Sequence, residues 1–543
     1  MLVPVIVEPS PHLARGNPQS CIASPLRGRS SGTPRRCGCH RLYWNQATEG
    51  EAAPGVIPAS DEPREACGIF GVYAPGEDVA RLTFFGLYAL QHRGQESAGI
   101  AAADGEDLAV RTGMGLVSQV FDEEDLAFLR GHIAIGHTRY STTGSSVVCN
   151  AQPIVVRDGA TGRPIALAHN GNLVNYRVLR EDLEAQGVQF ETTTDSELIA
   201  HLLALAPGTS WEERFHYVMR RIEGAYSLVI MTPDTLFAVR DPLGVRPLCI
   251  GRLGDGWVVA SESCALEHLG VPMEREIAPG EVVQIDAHGA RSFFPTAPAP
   301  RLALCTFEFI YFARPDSYLA GHLLYPIREE MGAQLAREHP VDADIVIGVP
   351  DSAVPAAIGF ARESGIPYRE GLVKNRYVGR TFIQPDQRIR EAGVSLKFNA
   401  LHEVLAGKRV VVVDDSIVRG TTTPRVVNLV RRAGAREVHM RITAPPIISP
   451  CFFGVDMATK WELIAANKSV EEIRQHIGAD SLGYLSLEGL IRATRQSAET
   501  LCNACFTGIY PIDVQMQMDN LEPPSEHARE LAALESLNRA GRP

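Results

Sequence analysis

The chain has 543 residues, enough for two or more domains, and its 45% hydrophobic and 21% charged content is ordinary for a globular protein. The net charge of −12 argues against a general nucleic-acid-binding surface. No apolar run is long enough to span a membrane, and the 11 cysteines are scattered. These features predict a reducing compartment, in which cysteines serve as ligands or nucleophiles rather than as a disulfide framework.

Residues 1–66 differ from the rest of the chain. They are rich in Pro, Gly, Ser and Arg and show little periodicity, which predicts no packed core. The arginine-rich part up to Arg41 is typical of a transit peptide, or equally of an upstream stretch read from a wrong start. We therefore expect a cytoplasmic protein, or a plastid protein if the leader is a transit peptide.

Ordered structure is predicted to begin at Cys67, which opens an apolar strand over 67–72. A cysteine at that position can also be a buried core residue. Four polar motifs follow it, at 91–99 (QHRGQESAG), 137–144 (HTRYSTTG), 168–173 (AHNGNL) and 194–197 (TDSE). In this order they resemble class II glutamine amidotransferases, whose glutaminase is an N-terminal-nucleophile hydrolase with an αββα sandwich of the α+β class.

The resemblance implies a role for each matching residue. Cys67 would be the nucleophile, with its own free α-amine as general base, so residues 1–66 would have to be removed. The Asn170 side chain and the Gly171 backbone amide would form the oxyanion hole. Arg139 would bind the carboxylate of glutamine and Asp195 its ammonium group. Because this mechanism needs no histidine, His132, His137 and His169 are expected to be structural.

The proline-rich stretch 295–300 predicts a linker to a second domain. There a short apolar strand, 344–349, ends in Pro350, Asp351 and Ser352, which suits pyrophosphate and metal binding at a strand end. A basic loop over 374–382 follows. It is either a solvated cationic loop or a lid that closes over substrate and excludes water, with Lys374 as the phosphate contact.

Residues 410–423 (VVVVDDSIVRGTTT) predict a buried strand, a paired carboxylate and a hydroxyl-rich loop. Pro424 suits the first position of a helix with Thr423 as its cap, and Gly434 suits the helix end. Loop amides and a helix start can hold a phosphate, while the carboxylates suit ribose hydroxyls and Mg2+. An ordinary α/β strand or a receiver-type Mg2+ pocket would share the acidic pair, and no P-loop motif occurs.

This stretch resembles the phosphoribosylpyrophosphate (PRPP) signature of type I phosphoribosyltransferases, which implies an α/β domain with a mostly parallel sheet. The implied PRPP contacts are Pro350, Asp351, Lys374, Asp414, Asp415, Ser416, Gly420, Thr421, Thr422 and Thr423. The implied ligands of one Mg2+ per subunit are Ser352, Asp414 and Asp415.

Cys502 and Cys505 form a Cys-x-x-Cys, which alone leaves zinc, redox chemistry and chance open. The resemblance implies that Cys249, Cys451, Cys502 and Cys505 together bind a [4Fe–4S] cluster, with zinc as the alternative. The cluster would join the two domains. Cys149, Cys264 and Cys305 have no such match and are expected to be core or surface cysteines.

Residues 67–515 as a whole resemble the amidophosphoribosyltransferase family. The implied division is a leader (1–66), a glutaminase (67–300), a phosphoribosyltransferase (301–515) and a tail (516–543). The implied substrates are glutamine and PRPP, with purine nucleotides as feedback inhibitors, an ammonia channel and a homodimer or homotetramer. Glucosamine-phosphate synthase and asparagine synthetase would share only the first half. A non-enzymatic PRPP-sensing regulator would lack the glutaminase and carry a DNA-binding module.

Overall fold

The computed structural model describes residues 67–140, 146–375, 398–455 and 460–514. The leader, the tail and positions 376–382 of the basic loop lie outside these residues, so the predictions about them stay predictions. In the part of the chain that is described, no helix is long and apolar enough to cross a membrane.

The first half contains short strands joined by turns and helices. Its strands are β1 (Gly68–Tyr73), β2 (Ser97–Ala103), β3 (Leu108–Met114), β4 (Ile133–Arg139), β5 (Ile154–Arg157), β6 (Pro164–Leu173), β7 (Gly224–Met231), β8 (Leu236–Arg240), β9 (Cys249–Leu253), β10 (Gly256–Ala260), β11 (Met273–Glu276), β12 (Val282–Asp286) and β13 (Gly289–Phe293). Its helices are α1 (Val79–Ala89), α2 (Val117–Val120), α3 (Glu123–Phe128), α4 (Tyr176–Ala185), α5 (Asp195–Ala204), α6 (Trp211–Met219) and α7 (Ser263–His268), with a 3-10 turn at Val148–Asn150.

These strands form two antiparallel sheets, with orders β11-β9-β10-β1-β4-β2-β3 and β13-β12-β8-β7-β6-β5. Side chains alternate along β1, so Ile69 and Tyr73 enter the core between the sheets while Phe70 and Val72 pack toward α1. A further core lies between the second sheet and α4, α5 and α6. Helix, sheet, sheet and helix layers therefore confirm the αββα sandwich.

The second half has fewer and mostly parallel strands. They are β14 (Leu304–Cys305), β15 (Tyr318–Leu319), β16 (His322–Leu323), β17 (Ile345–Gly348), β18 (Leu372–Lys374), β19 (Phe398–Ala400), β20 (Arg409–Asp414), β21 (Glu437–Ile442), β22 (Ser481–Tyr484) and β23 (Leu501–Cys502). The helices are α8 (Leu324–Glu338), α9 (Val354–Ser364), α10 (His402–Leu405), α11 (Thr423–Arg432), α12 (Ile464–Asn467), α13 (Val470–Ile477), α14 (Leu487–Thr494) and α15 (Ala504–Thr507), with a π-helical turn at Glu308–Phe312 and 3-10 turns at Lys460–Glu462 and Ala498–Thr500.

The central sheet of this half has the order β17-β20-β21-β22, and every pairing in it is parallel. This confirms the predicted α/β domain. Val410–Val413 of β20 are buried on both faces, as their β-branched run predicts. Gly348 pairs with Val413, so the loops after β17 and β20 leave the sheet at the same edge.

The two halves share one hydrophobic core rather than meeting only at a linker. Val174, Ala225, Leu243 and Val245 of the first half belong to the core that also contains β17, β20 and β21. The N–H groups of Ala303 and Cys305 donate to the carbonyls of Leu243 and Val245, at 2.8 and 3.1 Å. The arrangement of the halves is therefore fixed by packing and hydrogen bonds.

Two candidate active sites

Cys67 stands directly before β1, and only 7% of its surface is exposed. Its thiol donates to the Tyr140 carbonyl at 3.3 Å, and the Tyr140 N–H donates to the sulfur at 3.5 Å. Burial raises the pKa of the Cys67 thiol, although the backbone of Tyr140 and the charge of Arg139 oppose the shift. A thiol in this environment needs a base to accept its proton before it can attack.

Asn170 lies in β6 with its side chain fully buried. Within the described residues, neither its Nδ2 nor its Oδ1 has a hydrogen-bond partner. Leaving a buried amide unpartnered costs about 1–3 kcal/mol, so the geometry suits an amide reserved for a ligand oxygen. The next residue, Gly171, has φ +153°, and a Cβ there would lie 2.0 Å from the Ala225 carbonyl oxygen. Only glycine fits this position.

Asp195 is buried at the start of α5. Its Oδ2 accepts from the Leu173 N–H at 3.0 Å, and its Oδ1 lies 3.6 Å from His169 Nδ1. Burial alone would raise the pKa of Asp195, but His169 and the backbone donors outweigh it and lower the pKa. The carboxylate therefore stays ionised and can bind a cation. Its charge also contributes to the raised pKa of the Cys67 thiol.

Arg139, at the end of β4, supplies the cation of this site, and its charge also acts on Cys67. His137 lies two residues before it, and its Nε2 is 3.1 Å from the His169 carbonyl oxygen. Burial lowers the pKa of His137 to about 3, so its ring is neutral.

Tyr140, which holds the Cys67 sulfur, was missed by the sequence analysis, and only its place beside Arg139 in the motif could have indicated it.

The second candidate site lies at the carboxyl edge of the parallel sheet. Asp415 follows β20, and its carboxylate accepts from the Ser416 hydroxyl at 2.7 Å and from the Ser352 hydroxyl at 2.6 Å. The Asp414 carboxylate accepts from the Asp415 N–H at 2.9 Å. Because Ser352 follows β17, the pairing of β17 with β20 brings these distant residues together.

The loop from 416 to 423 turns sharply into α11. Gly420 has φ +70°, and a Cβ there would lie 2.4 Å from Ile464 Cδ1, so the turn requires glycine.

The predicted cap is wrong by one residue: α11 begins at Thr423 after the cap Thr422, and Pro424 is the second helical residue. The Thr422 carbonyl accepts from the Arg425 and Val426 N–H groups, while the Thr423 side chain is buried. Thr421 is exposed at the surface of this loop, and Gly434, with φ +91°, follows the helix end as predicted.

Lys374 lies at the end of β18, and its Nζ donates to the Asp351 carboxylate at 2.8 Å. Asp351 follows Pro350 in the loop after β17, so this pair joins the basic loop to the candidate pyrophosphate loop. The side chains are 35% and 63% exposed, so both groups remain accessible to a ligand. Residues 376–382 of the predicted lid lie outside the described residues.

The predicted Mg2+ ligands lie close together in the structure but do not form a complete metal site. Among the described residues, no three His, Cys, Asp or Glu side chains are placed to hold a metal ion. Asp414, Asp415 and Ser352 still offer the oxygen donors that suit Mg2+, which commonly takes only one or two carboxylates together with waters and substrate phosphates. The donor set therefore fits a magnesium–substrate complex rather than a cage made of protein alone.

The predicted set of four cysteine ligands stays a prediction, but the structure places Cys249 in a different core from that of Cys451, Cys502 and Cys505. Cys249 packs in the core under α1, where its thiol donates to the Ala260 carbonyl at 3.3 Å. Cys305, Cys451 and Cys502 instead act together on Cys505, because burial and then the charges of these three raise the pKa of its thiol. Cys305 and Cys502 are directly paired across the parallel bridge of β14 and β23.

Comparison with known proteins covers both halves. Residues 137–268 match the family described as "glutamine amidotransferase domain", and residues 316–445 match "phosphoribosyl transferase domain". The amidophosphoribosyltransferase of Synechococcus elongatus is 55% identical over 84% of this chain and 93% of its own length. That of Mycobacterium bovis is 52% identical over 86% of this chain and 90% of its own length.

The solved structure of the B. subtilis glutamine PRPP amidotransferase, in complex with ADP and GMP, superposes with a TM-score of 0.78 at 48% identity. It covers 82% of this chain and 98% of the B. subtilis chain. The match thus includes the αββα half, the parallel-sheet half and the arrangement between them. The chain belongs to the amidophosphoribosyltransferase family.

Proposed function

We propose that this chain converts PRPP and glutamine, with water, into 5-phosphoribosylamine, glutamate and pyrophosphate, the first committed step of purine biosynthesis. The observation that carries the proposal is that a buried cysteine–amide site and an acidic loop lie in two halves of the chain that are joined by a shared hydrophobic core. The family relationship supports the same reaction. A glutaminase with another acceptor domain would lack the acidic loop between β20 and α11.

In the glutaminase step, Cys67 attacks the carboxamide carbon of glutamine, which is held by Arg139 and Asp195. Because burial raises the pKa of the thiol, its proton must pass to a base, and the free α-amine of a processed Cys67 can accept it. The Asn170 amide and the Gly171 N–H stabilise the oxyanion. Ammonia leaves, and water releases glutamate from the sulfur. Intact-mass measurement of active enzyme tests this assignment, which full-length active protein would contradict.

In the synthase step, ammonia attacks C1 of the PRPP ribose and pyrophosphate leaves. Asp414 and Asp415 hold the ribose hydroxyls, and the loop containing Ser416, Gly420 and the three threonines holds the 5′-phosphate at the start of α11. Pro350, Asp351 and Lys374 contact the pyrophosphate. Mg2+ bound through Ser352, Asp414 and Asp415 would neutralise charge on the leaving pyrophosphate.

For the cysteine cluster, we replace Cys249 by Cys305 and assign Cys305, Cys451, Cys502 and Cys505 as thiolate ligands. Four thiolates suit a [4Fe–4S] cluster, with a zinc site as the alternative, and binding would have to draw the four sulfur atoms together, because no three of them are placed to hold a metal ion among the described residues. Their shared electrostatic environment supports this set. Since none of them has a side-chain hydrogen bond to the described residues of either candidate active site, the expected role is structural.

This assignment predicts that Cys305→Ser lowers bound iron and sulfide to near zero and lowers the melting temperature. Cys249→Ser, the matched control, keeps the metal because its thiol only fills a core position. Iron, sulfide and zinc analysis after anaerobic purification measures the difference. Zinc without iron would favour the alternative, and metal retained in Cys305→Ser but lost in Cys249→Ser would restore the original set.

We further infer that purine nucleotides inhibit the enzyme and that it forms a homo-oligomer. The nucleotide proposal draws support from the B. subtilis relative, which was solved with ADP and GMP. Inhibition of pyrophosphate release by these two nucleotides, alone and together, tests it directly.

Cys67→Ser provides the main functional test. We expect it to lower glutamine-dependent pyrophosphate release by at least about 10⁴-fold, as loss of a nucleophile does, while synthesis from added ammonia continues. The reason is that ammonia bypasses the glutaminase site. Equal loss of both activities would contradict the division into two half-sites.

A further inference from the structure

Arg93 lies in the turn after α1, and only 1% of its side chain is exposed. Its Nε donates to the carbonyl oxygen of Cys67 at 3.2 Å. The guanidinium therefore holds the main chain of the residue whose sulfur must attack glutamine. This contact does not involve the residue's own amine, so it is available whether or not the chain is processed at Cys67.

The remaining donors of Arg93 are satisfied by two buried carboxylates. Nη1 donates to Glu262 at 2.5 Å and to Glu308 at 3.0 Å, while Nη2 donates to Glu308 at 2.7 Å. Glu262 belongs to the first half, but Glu308 begins the π-helical turn of the second half and is completely buried. A planar guanidinium held by a fork of this kind has one orientation, because its five N–H groups are fixed relative to one another.

The second half also touches β6, the strand that carries Asn170 and Gly171. Arg246 donates from Nη1 to Glu308 at 3.1 Å and from Nη2 to the Phe453 carbonyl at 2.8 Å. The neighbouring Phe452 carbonyl accepts from Asn172 Nδ2 at 2.9 Å. A Cβ built on Gly454 would lie 3.0 Å from the carbonyl carbon of Gly171, so the segment 452–454 packs directly on the oxyanion strand.

We propose that Glu308 is a positioning residue for the glutaminase: acting through Arg93, it fixes the backbone of Cys67 from the other half of the molecule. The inference rests on the proposed glutaminase role of Cys67. It follows that the phosphoribosyltransferase half completes the glutaminase site as well as consuming its ammonia. The glutaminase geometry then depends on how the two halves are docked, because the carboxylate that orients Arg93 moves with the second half.

If Glu308 had only a structural role, its substitution would lower the stability of the protein without lowering glutamine hydrolysis more than ammonia-dependent synthesis. Removing one partner of a buried arginine–carboxylate pair costs stability, because the remaining charge is left buried and uncompensated. Asp158 and Arg214 form such a pair, buried and 2.6 Å apart, in the first half away from Cys67. Asp158→Asn is therefore the matched control for loss of a buried charge.

The test uses Glu308→Gln in the two-domain enzyme processed at Cys67, with glutamine hydrolysis and ammonia-dependent synthesis measured separately. We expect kcat for glutamine hydrolysis to fall about 10- to 100-fold, since displacing a reacting atom by about 1 Å can cost 100-fold. The KM for glutamine should stay within about twofold, because Arg139 and Asp195 are untouched. Synthesis from saturating ammonia should continue, and Asp158→Asn should lower the melting temperature without this selective loss.

Arg93→Lys keeps the charge but removes the fork, and it provides a second variant if Glu308→Gln does not fold. It should show the same fall in kcat. The double variant should be no worse than Arg93→Lys alone, because both changes break one chain of contacts. Full glutaminase activity in either single variant, or additive losses in the double variant, would overturn the proposal. If Cys67→Ser itself retained glutaminase activity, the proposed function rather than this inference would fail.

Discussion

In the proposed glutaminase site the functional side chains are buried between packed sheets, whereas the proposed PRPP site is assembled from loops at an open sheet edge and combines the buried Asp415 with the exposed Lys374–Asp351 pair. Cys67, Arg139, Asn170 and Asp195 are all buried and are positioned by strands of two sheets or by the start of α5. At the other site, Asp415 is held by two serine hydroxyls, and the Lys374–Asp351 pair remains exposed to solvent.

The difference shows two ways of preparing a site. In the buried site, packing sets the position of each group, and an unpartnered amide is retained at a cost in stability. In the open site, charge and loop backbone do most of the positioning, so substrate and Mg2+ can complete the arrangement. Substitutions that break a buried contact should therefore change chemistry and stability together in the first site, whereas loss of the unpartnered Asn170 amide, or of a group in the second site, should change chiefly chemistry.

Asp415→Asn should produce the largest effect at the open site. We expect pyrophosphate release to fall at least about 100-fold with either glutamine or ammonia, because a charge facing the ribose and Mg2+ is lost. Glutamine hydrolysis in the absence of PRPP should be unchanged. Asp344→Asn is the control, since Asp344 pairs with Arg409 at 2.9 Å at the opposite edge of the same sheet. Ammonia-dependent activity retained in Asp415→Asn would refute the assigned role.

Asn170→Ala tests the buried site. The kcat for glutamine hydrolysis should fall about 10²- to 10³-fold, as expected for loss of one oxyanion donor, while ammonia-dependent synthesis persists. The melting temperature should hardly change, because the amide atoms of Asn170 have no partner among the described residues.

Asn150 is the control. It is equally buried, but its amide nitrogen donates to the Thr193 hydroxyl and its amide oxygen accepts from the Thr193 N–H. Asn150→Ala should therefore lose about 1–3 kcal/mol of stability. A comparable stability loss in Asn170→Ala would show that its amide has a structural role.

The local structure around residues grouped in one motif could be predicted from the sequence. Asp414 and Asp415 follow a β-branched run that had to be a buried strand, and Asn170 and Gly171 stand in one short motif. Local backbone rules then place such residues at strand ends and turns without knowledge of the fold. The helix cap lies at Thr422 rather than at the predicted Thr423, and since the Thr422 side chain makes no capping hydrogen bond, the hydroxyl pattern behind the prediction did not fix the position.

Contacts between distant segments could not be predicted in the same way. Cys305 meets Cys502 only because β14 and β23 pair across the shared core, whereas Cys249 is directed into a different core by its strand. Glu308 likewise meets Arg93 across 215 positions of sequence. These pairings depend on the docking of the two halves, which has no local sequence signal.

Lys374→Ala should have the smallest effect and tests how far the open site depends on charge alone. The Lys374–Asp351 pair is exposed, and such pairs contribute about 0–1 kcal/mol to stability, so the melting temperature should barely change. The KM for PRPP should rise about tenfold at low salt, since one cation facing the pyrophosphate is lost. In Lys374→Arg the KM for PRPP should stay close to that of the unsubstituted protein, because the charge is kept. Added salt should reduce the difference between Lys374→Ala and Lys374→Arg, because screening weakens exposed charges more than buried ones. An unchanged KM at low salt would remove Lys374 from the pyrophosphate site and leave its pair with Asp351 as a surface contact.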